Sequence, residues 1–379
     1  MAGVFKGNER HQLSLPALLS GRLFPPATTL QRGLRRKNLR EFSVVYVGSN
    51  LMKAVLLDKP GPPSSLRIGE ISIPRPGVGE ALVRVCATSL NPVDYKVAAR
   101  GYEGWNYPHV LGVDVAGVIE TLGEGVDSWN LGERVFYHTT WRKDGSYAEF
   151  NVAPAHTFAR VPEGISFVDA ATLPCAALTA YCALYRRLHV READIVLVHA
   201  AAGGVGGFAV QLAKAAKAFV IGTCSASNAK YVRELGADEV INYRSEDVFQ
   251  RAKAIAGDRG IDAIIDNIGP SSGVDNLSLL GPEGGLACIA GIPDLSVVPD
   301  LPYSISIHDI GLGGVLASPA FRRRQEDLGR MATEVMTLVQ VGKIRPTAAE
   351  QITLEAIPKA LERLAEGHVR GKIVARVQS

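Results

Sequence analysis

The sequence predicts an α/β protein in two parts, a small β-barrel and a doubly wound parallel sheet. From Met52 to about Pro174 the chain runs in short apolar, β-branched segments broken by glycine turns, the spacing expected of a small barrel. After Pro174, short apolar runs alternate with helical stretches of about 10–15 residues, which implies parallel strands joined by crossover helices. From about Arg322 the tail is mixed again and closes on an apolar strand. The expected division is a leader over 1–51, a first barrel part over 52–173, the parallel-sheet domain over 174–320, and a return to the barrel domain over 321–379.

The leader differs from the rest of the chain. Residues 1–50 hold eight Lys or Arg against two acids, Glu9 and Glu41. They lack the continuous apolar region of a secretory signal. An Arg-rich, acid-poor segment is compatible with a mitochondrial transit peptide, which would place the protein in the matrix. The preferred reading takes Met52 as the functional start, the leader as disordered or not made, and the location as cytoplasmic.

In the barrel part the expected strands are Ala81 to Ala87, Val115 to Leu122, Arg134 to Tyr137 and Tyr147 to Val152, after a first strand opening at Met52. In the second part they are Ile195 to Val198, Phe219 to Thr223, Glu239 to Asn242, Ala263 to Asp266 and Gly285 to Ala290. Continuous apolar runs of this length suit strands buried on both faces. The tail predicts amphipathic helices near Leu328 to Val341 and Ala356 to Glu366, then a strand over Lys372 to Val377. That strand is expected to return to the barrel. The parallel-sheet domain would then be an insertion, with a ligand cleft between the two parts.

Composition narrows the function. The chain has 379 residues, 47% of them hydrophobic, and a net charge of +3. No apolar run approaches the ~18 residues of a membrane helix. No long basic tract supports nucleic-acid binding. The five cysteines, Cys86, Cys175, Cys182, Cys224 and Cys288, are scattered without a C-x-x-C pair. This argues for a reducing compartment and against a disulfide framework or structural zinc.

The most informative stretch is Ile195 to Lys217. Four apolar residues lead into small residues from Ala200 to Gly207, then into Phe208, Val210, Leu212 and Ala213 at helical spacing. This is strand, glycine turn, helix. Gly204, Gly206 and Ala209 fit G-x-G-x-x-A. The first glycine is expected to permit the turn, the second to let a pyrophosphate reach the backbone, and the small third position to let helix and strand pack closely. Amides of Gly203, Gly204, Val205 and Gly206 at the helix start would favour an anion. The pattern predicts a bound dinucleotide.

An NAD site usually carries an acid about 20 residues further on, to hold the ribose 2′-hydroxyl. Here the second strand ends in Cys224-Ser225-Ala226-Ser227, and no acid occurs between Gly207 and Glu234. Ser225, Lys230 and Tyr243, with Arg244 beside it, offer hydroxyls and cations instead. That set suits a 2′-phosphate, which a carboxylate would repel. NADPH is therefore expected over NADH.

The order of motifs from Met52 to Val377 resembles the medium-chain dehydrogenase/reductase superfamily, with its GroES-like barrel and Rossmann domain. Within it, the match is to the zinc-independent branch of quinone oxidoreductases and enone (2-alkenal) reductases. The resemblance is carried by Asn91-Pro92-Val93-Asp94-Tyr95-Lys96, Leu111 to Gly117, Leu178-Thr179-Ala180-Tyr181, Ala200 to Gly206, Leu235-Gly236-Ala237-Asp238 and Gly371-Lys372-Ile373-Val374. The zinc alcohol dehydrogenases place a cysteine ligand where this chain has Asn91, and a histidine ligand where it has Val113. Their four-cysteine lobe is also missing, since no cysteine follows Glu133 in that region. Thiolate or imidazole donors for zinc are lacking, so no metal is expected.

Without metal, the implied acceptor is already electrophilic, a quinone or an α,β-unsaturated carbonyl. Negative charge then develops on its carbonyl oxygen, and a preorganised donor stabilises it. The resemblance implies Lys96 as that donor, helped by Asn91 or Tyr95. Asp94 is read as a helix cap rather than a catalytic group. The resemblance also implies Thr179 near the nicotinamide amide, and Asn267 and Gly291 near the ribose and nicotinamide. It places Arg370 and Lys372 near the phosphates. Tyr102 and Tyr107 are candidates for the substrate side, with packing as the plainer role. Asp294 to Gly314 matches the family loosely, and residues 1–50 have no counterpart in it. The expected partners are a small-molecule substrate and a second copy of the chain in a homodimer. Two other readings stay open: an enoyl-thioester reductase, and a crystallin-like NADPH-binding protein with a structural or RNA-binding role.

Overall fold

The computed structural model describes residues 50–297, 302–367 and 369–378. The leader expected over 1–51 lies almost wholly outside the described residues. No helix among them is long and apolar enough to cross a membrane.

The barrel part runs β1 (Leu51–Leu57), β2 (Arg67–Ser72), β3 (Glu80–Ser89), α1 (Pro92–Arg100), β4 (His109–Val110), β5 (Asp114–Leu122), β6 (Arg134–His138), β7 (Phe150–Pro154) and β8 (Ala159–Arg160). A linking segment carries α2 (Phe167–Ala171) and α3 (Leu178–Tyr181). Strands and helices then alternate as β9 (Ile195–Val198), α4 (Gly204–Ala215), β10 (Phe219–Cys224), α5 (Ala229–Glu234), β11 (Glu239–Asn242), α6 (Val248–Ala256), β12 (Ile261–Asp266), α7 (Pro270–Leu279), β13 (Leu280–Cys288) and β14 (Ser306–Asp309). The tail holds α8 (Arg322–Gln340), β15 (Ala348–Thr353), α9 (Ile357–Glu366) and β16 (Lys372–Arg376).

The second part is a parallel sheet in the order β11-β10-β9-β12-β13-β14. Strand order reverses between β9 and β12, and a ligand crevice opens at such a switch point. Both faces are covered. Leu197, Ile221, Ile264 and Leu286 enter one apolar cluster, while Val196, Val198, Val220 and Ile265 enter another. That two-sided burial is why these strands read as unbroken apolar runs. Strand β14 was not expected. It is a short edge strand, Ser-Ile-His-Asp, and its polar composition carries no apolar run to mark it.

The closing strand β16 pairs antiparallel with β3, Val374 opposite Ser89, and parallel with β15. Helix α9 buries Ile357, Ala360 and Leu361 against Val55, Leu56 and Val97 of the barrel. Helix α8 presents Leu328, Met331, Ala332, Val335, Met336 and Val339 at helical spacing to the cluster that holds Leu178 and Phe208. The last 58 residues are thereby tied to both parts by apolar burial, the dominant favourable term in folding.

Candidate active site

Between the two parts lies a cleft of about 630 Å³. One wall is built from β9 and α4. The backbone turns at Ala200, which takes a φ of +48°. Thr223 at the end of β10 holds this turn: its hydroxyl accepts from the Ala200 amide at 3.1 Å, and its carbonyl from the Ala201 amide at 2.9 Å. Helix α4 then begins at Gly204 with Gly203 as its cap. The first-turn amides of Gly204, Val205 and Gly206 have no intrahelical acceptor, and these residues line the cleft.

The glycines act differently from the expected scheme. Neither Gly204 nor Gly206 has a positive φ; the left-handed residue is Ala200. A Cβ on Gly206 would stand 2.3 Å from the Ala200 carbonyl oxygen. Gly206 is therefore required for the helix to close on its own turn. A Cβ on Gly204 would meet the Lys372 side chain at 2.9 Å.

Asn267 stands just after β12 on the same wall. Its amide nitrogen donates to the His199 carbonyl at 2.8 Å. Its side-chain oxygen is buried without a partner, and the residue lines the cleft. A cradle of free amides with an unpartnered acceptor beside it fits the pyrophosphate and ribose of a dinucleotide.

The barrel wall centres on Asp114, at the start of β5. One carboxylate oxygen accepts the Cys175 amide at 2.7 Å. The other accepts the Ser89 hydroxyl, the Asn91 side-chain amide at 2.8 Å, and the Lys372 ammonium at 3.3 Å. Lys372 also donates to the Leu90 carbonyl at 3.0 Å and to the Asn91 side-chain oxygen. Asn91 completes its set by donating to the Ser89 carbonyl at 3.2 Å. These charges are buried but paired and hydrogen-bonded, the condition under which burial is tolerated.

Helix α1 starts from this network. Asp94 accepts the Asn91 backbone amide at 2.8 Å and the Tyr147 hydroxyl at 2.6 Å. Burial outweighs both bonds and pushes its carboxyl up to about 7. One residue further on, Tyr95 is half-buried and Lys96 is exposed, and both line the cleft. Neither side chain has a hydrogen-bond or ion-pair partner among the described residues. Burial raises the Tyr95 phenol.

The cleft thus brings together Asn91, Tyr95, Lys96, Thr179, Gly203, Gly204, Val205, Gly206, Asn267 and Lys372. Lys372 is placed differently from expectation. Its ammonium is taken up by Leu90, Asn91 and Asp114, so only its stem lies beside the glycine turn. Asn91 likewise spends its side chain on that network and not on the open cleft. Gly291 is outside the lining and turns towards Pro270, while its neighbours Ile289 and Ala290 line the cleft.

Ser225, Lys230, Tyr243 and Arg370 form no part of the lining. Ser225 follows β10, and the Tyr243 amide donates to the Cys224 carbonyl at 3.3 Å. Lys230 is solvent-exposed, 3.9 Å from Glu234. The Arg370 guanidinium lies 5.2 Å from the Tyr231 ring centroid, one residue from Lys230. Tyr102 and Tyr107 pack on Trp141 and Trp105 outside the lining.

Sequence reasoning missed Asp114, Cys175, His138 and Trp141. Burial lowers the His138 imidazole, and its Nδ1 is buried without a partner. Burial raises the Cys175 thiol well above its ordinary value. An amide, an apolar valine and a neutral thiol do not make a zinc site. Among the described residues no group of three or more His, Cys, Asp or Glu could hold a metal ion.

Residues 77–163 match the alcohol dehydrogenase GroES-like domain, and residues 235–374 the zinc-binding dehydrogenase family. Barrel, parallel sheet and intervening cleft are those of a medium-chain dehydrogenase/reductase. The chain is 32% identical to a quinone oxidoreductase of Pongo abelii over 331 residues, 86% of this chain and 98% of that one. The solved quinone oxidoreductase from Coxiella burnetii matches with a TM-score of 0.75 at 31% identity, covering 86% of this chain and 100% of that one. A mycobacterial protein complexed with NADPH matches with a TM-score of 0.75 at 29% identity, again over 86% and 100%. The chain belongs to the quinone oxidoreductase branch of the medium-chain dehydrogenase/reductases, and is an oxidoreductase that uses a nicotinamide cofactor.

Proposed function

We propose that this protein reduces a quinone or an α,β-unsaturated carbonyl with NADPH, without metal. The observation that carries this reading is the pair of unpartnered donors, Tyr95 and Lys96, on a helix anchored in the cleft wall. On this reading residues 52–173 and 321–379 form the catalytic part, and 174–320 the cofactor-binding part.

The dinucleotide, when bound, supplies the hydride. Amides of Gly204, Val205 and Gly206 hold its pyrophosphate, and Asn267 accepts from a ribose hydroxyl. Thr179 faces its nicotinamide end. Ser225, Lys230, Tyr243 and Arg370 surround the adenosine end, where the absence of an acid before Glu234 favours the 2′-phosphate. Val113, Ile310 and Leu312 line the cleft with apolar surface, which excludes water and strengthens charge interactions inside. The Lys96 ammonium donates to the acceptor's carbonyl oxygen as negative charge builds there. Tyr95 is the second donor in reach of the same oxygen. Asn91 positions both by anchoring the start of α1.

The test is a panel of quinones, enals and enoyl thioesters, each with NADPH and NADH. Turnover of a quinone or enal with transfer of deuterium from labelled NADPH is expected. Lys96→Met should lower that turnover at saturating NADPH by about a hundredfold to a thousandfold, the scale of losing one charge-stabilising donor. Unchanged turnover would remove Lys96 from the chemistry.

A further inference from the structure

The barrel-side mouth of the cleft carries a feature that hydride transfer to a neutral acceptor does not use. Trp141 lines the cleft, and no partner engages its indole N–H among the described residues. Its ring lies close to Gly313 on the facing loop, where an added Cβ would approach the indole nitrogen to 3.4 Å. Two guanidinium groups lie over the ring, Arg142 at 4.6 Å from its centroid and Arg100 at 5.6 Å, and both stand just outside the cleft lining. Arg142 is fixed by donating to the Tyr102 hydroxyl at 2.7 Å, and its Nε is buried without a partner. Arg100 and Lys96 are four residues apart on α1, hence on one helix face, and both are exposed.

None of these three cations has an acidic partner within ion-pair distance among the described residues. The acids nearest in sequence are Asp94, Glu103 and Asp144, and Asp94 is spent on the Asn91 amide and the Tyr147 hydroxyl. Asp144 is spent on His109, at 3.2 Å, and on the Val110 amide. Glu103 makes no ion pair among the described residues. Some exposed cations elsewhere are paired, as in Lys53 with Glu355, Arg67 with Asp58 and Arg363 with Glu350. Three unpaired cations around one aromatic wall of a cleft repel one another, and an anion there would relieve that repulsion.

We propose that this rim recognises a compact anionic substituent on the substrate. The natural acceptor is then a planar, electron-poor compound bearing a carboxylate or sulfonate-like group. Its ring lies in the cleft beside the Trp141 indole, and its charge reaches the rim at Arg100 and Arg142. The anion is compact because both cations lie against a ring that itself lines the cleft; charge carried on a long flexible arm would lie beyond them. This specificity rests on the proposed reduction, but the recognition can be measured without turnover.

The experiment uses protein saturated with NADP+, so that the pyrophosphate cradle is filled. Dissociation constants are measured by calorimetry for naphthalene-2-sulfonate and for neutral naphthalene-2-sulfonamide. In parallel, kcat/KM is compared for 1,2-naphthoquinone-4-sulfonate and 1,2-naphthoquinone with NADPH. The sulfonate should bind more tightly, and raised salt should shrink its advantage. Arg100→Gln and Arg142→Gln should each lower the anion-to-neutral ratio by about threefold, the scale of one partly exposed charge pair. Among the described residues the exposed Arg100 side chain makes no hydrogen bond or ion pair, so its replacement is not expected to disturb folding. Equal affinity for the two ligands, or a ratio unmoved by Arg100→Gln, would overturn the proposal. Preferential sulfonate binding without turnover of either quinone would leave the rim standing and overturn the proposed reduction.

Discussion

On the parallel-sheet side of the cleft the groups without intrahelical partners are backbone amides at Gly204, Val205 and Gly206, set by one turn and the helix after it. On the barrel side they are side chains from distant segments, Ser89, Asn91, Asp114 and Lys372, locked to each other out of solvent. Beyond the lining on that side, Lys230 and Arg370 are exposed and loosely held. One wall recognises its ligand with geometry that any sequence keeping the turn will reproduce. The other depends on every member of a charged network being present. The difference teaches where mutation should be costly, and it can be measured.

The largest effect is expected at the centre of the barrel network. Asp114→Ala leaves the Lys372 ammonium buried without its counter-charge, which should cost about 4 kcal/mol of stability. Adding Lys372→Met removes the stranded charge and should restore part of the loss. Chemical denaturation of the single and double variants measures both. Additive losses would show that the two residues are not coupled.

Next comes the pH dependence introduced by Asp94. Its carboxyl titrates near 7 in the folded chain, against ~3.9 in an unfolded one. Between those values the folded state holds a proton that the unfolded state has released. Stability should therefore fall as pH rises from about 4 to about 7 and level off above, by up to roughly 4 kcal/mol. Asp94→Asn should flatten this component, read as the difference between two stability–pH curves. Parallel curves would mean that Asp94 is already ionised at low pH.

The smallest effect belongs to the exposed end of the dinucleotide wall. Lys230→Ala should raise KM for NADPH by about threefold relative to KM for NADH, and less at high salt, because an exposed charge is screened. Equal changes for both cofactors would take Lys230 out of phosphate recognition. A loss as large as that of Asp114→Ala would break the contrast between the two walls.

The legible part of the site follows the same division. Strand, turn and helix at Ile195–Ala215 were readable because their signals are local: apolar run, small residues, helical spacing. Even there, one constraint was not readable: Gly206 is held to glycine by its contact with Ala200, which takes the left-handed turn. Strand β14 left no trace in its composition. Lys372 could be matched to the cofactor phosphates by motif, but its ammonium faces the barrel because Asp114 and Asn91 converge there.

The order of elements, the fold class and the glycine turn were determined by the sequence alone, because periodicity and turn chemistry act over a few residues. The buried network was decided only by tertiary structure. Lys372 reaches Asp114 across 258 residues and Asn91 across 281. No local pattern encodes such a meeting; pairing of β16 with β3 brings the last strand of the chain to the residues that await its charge.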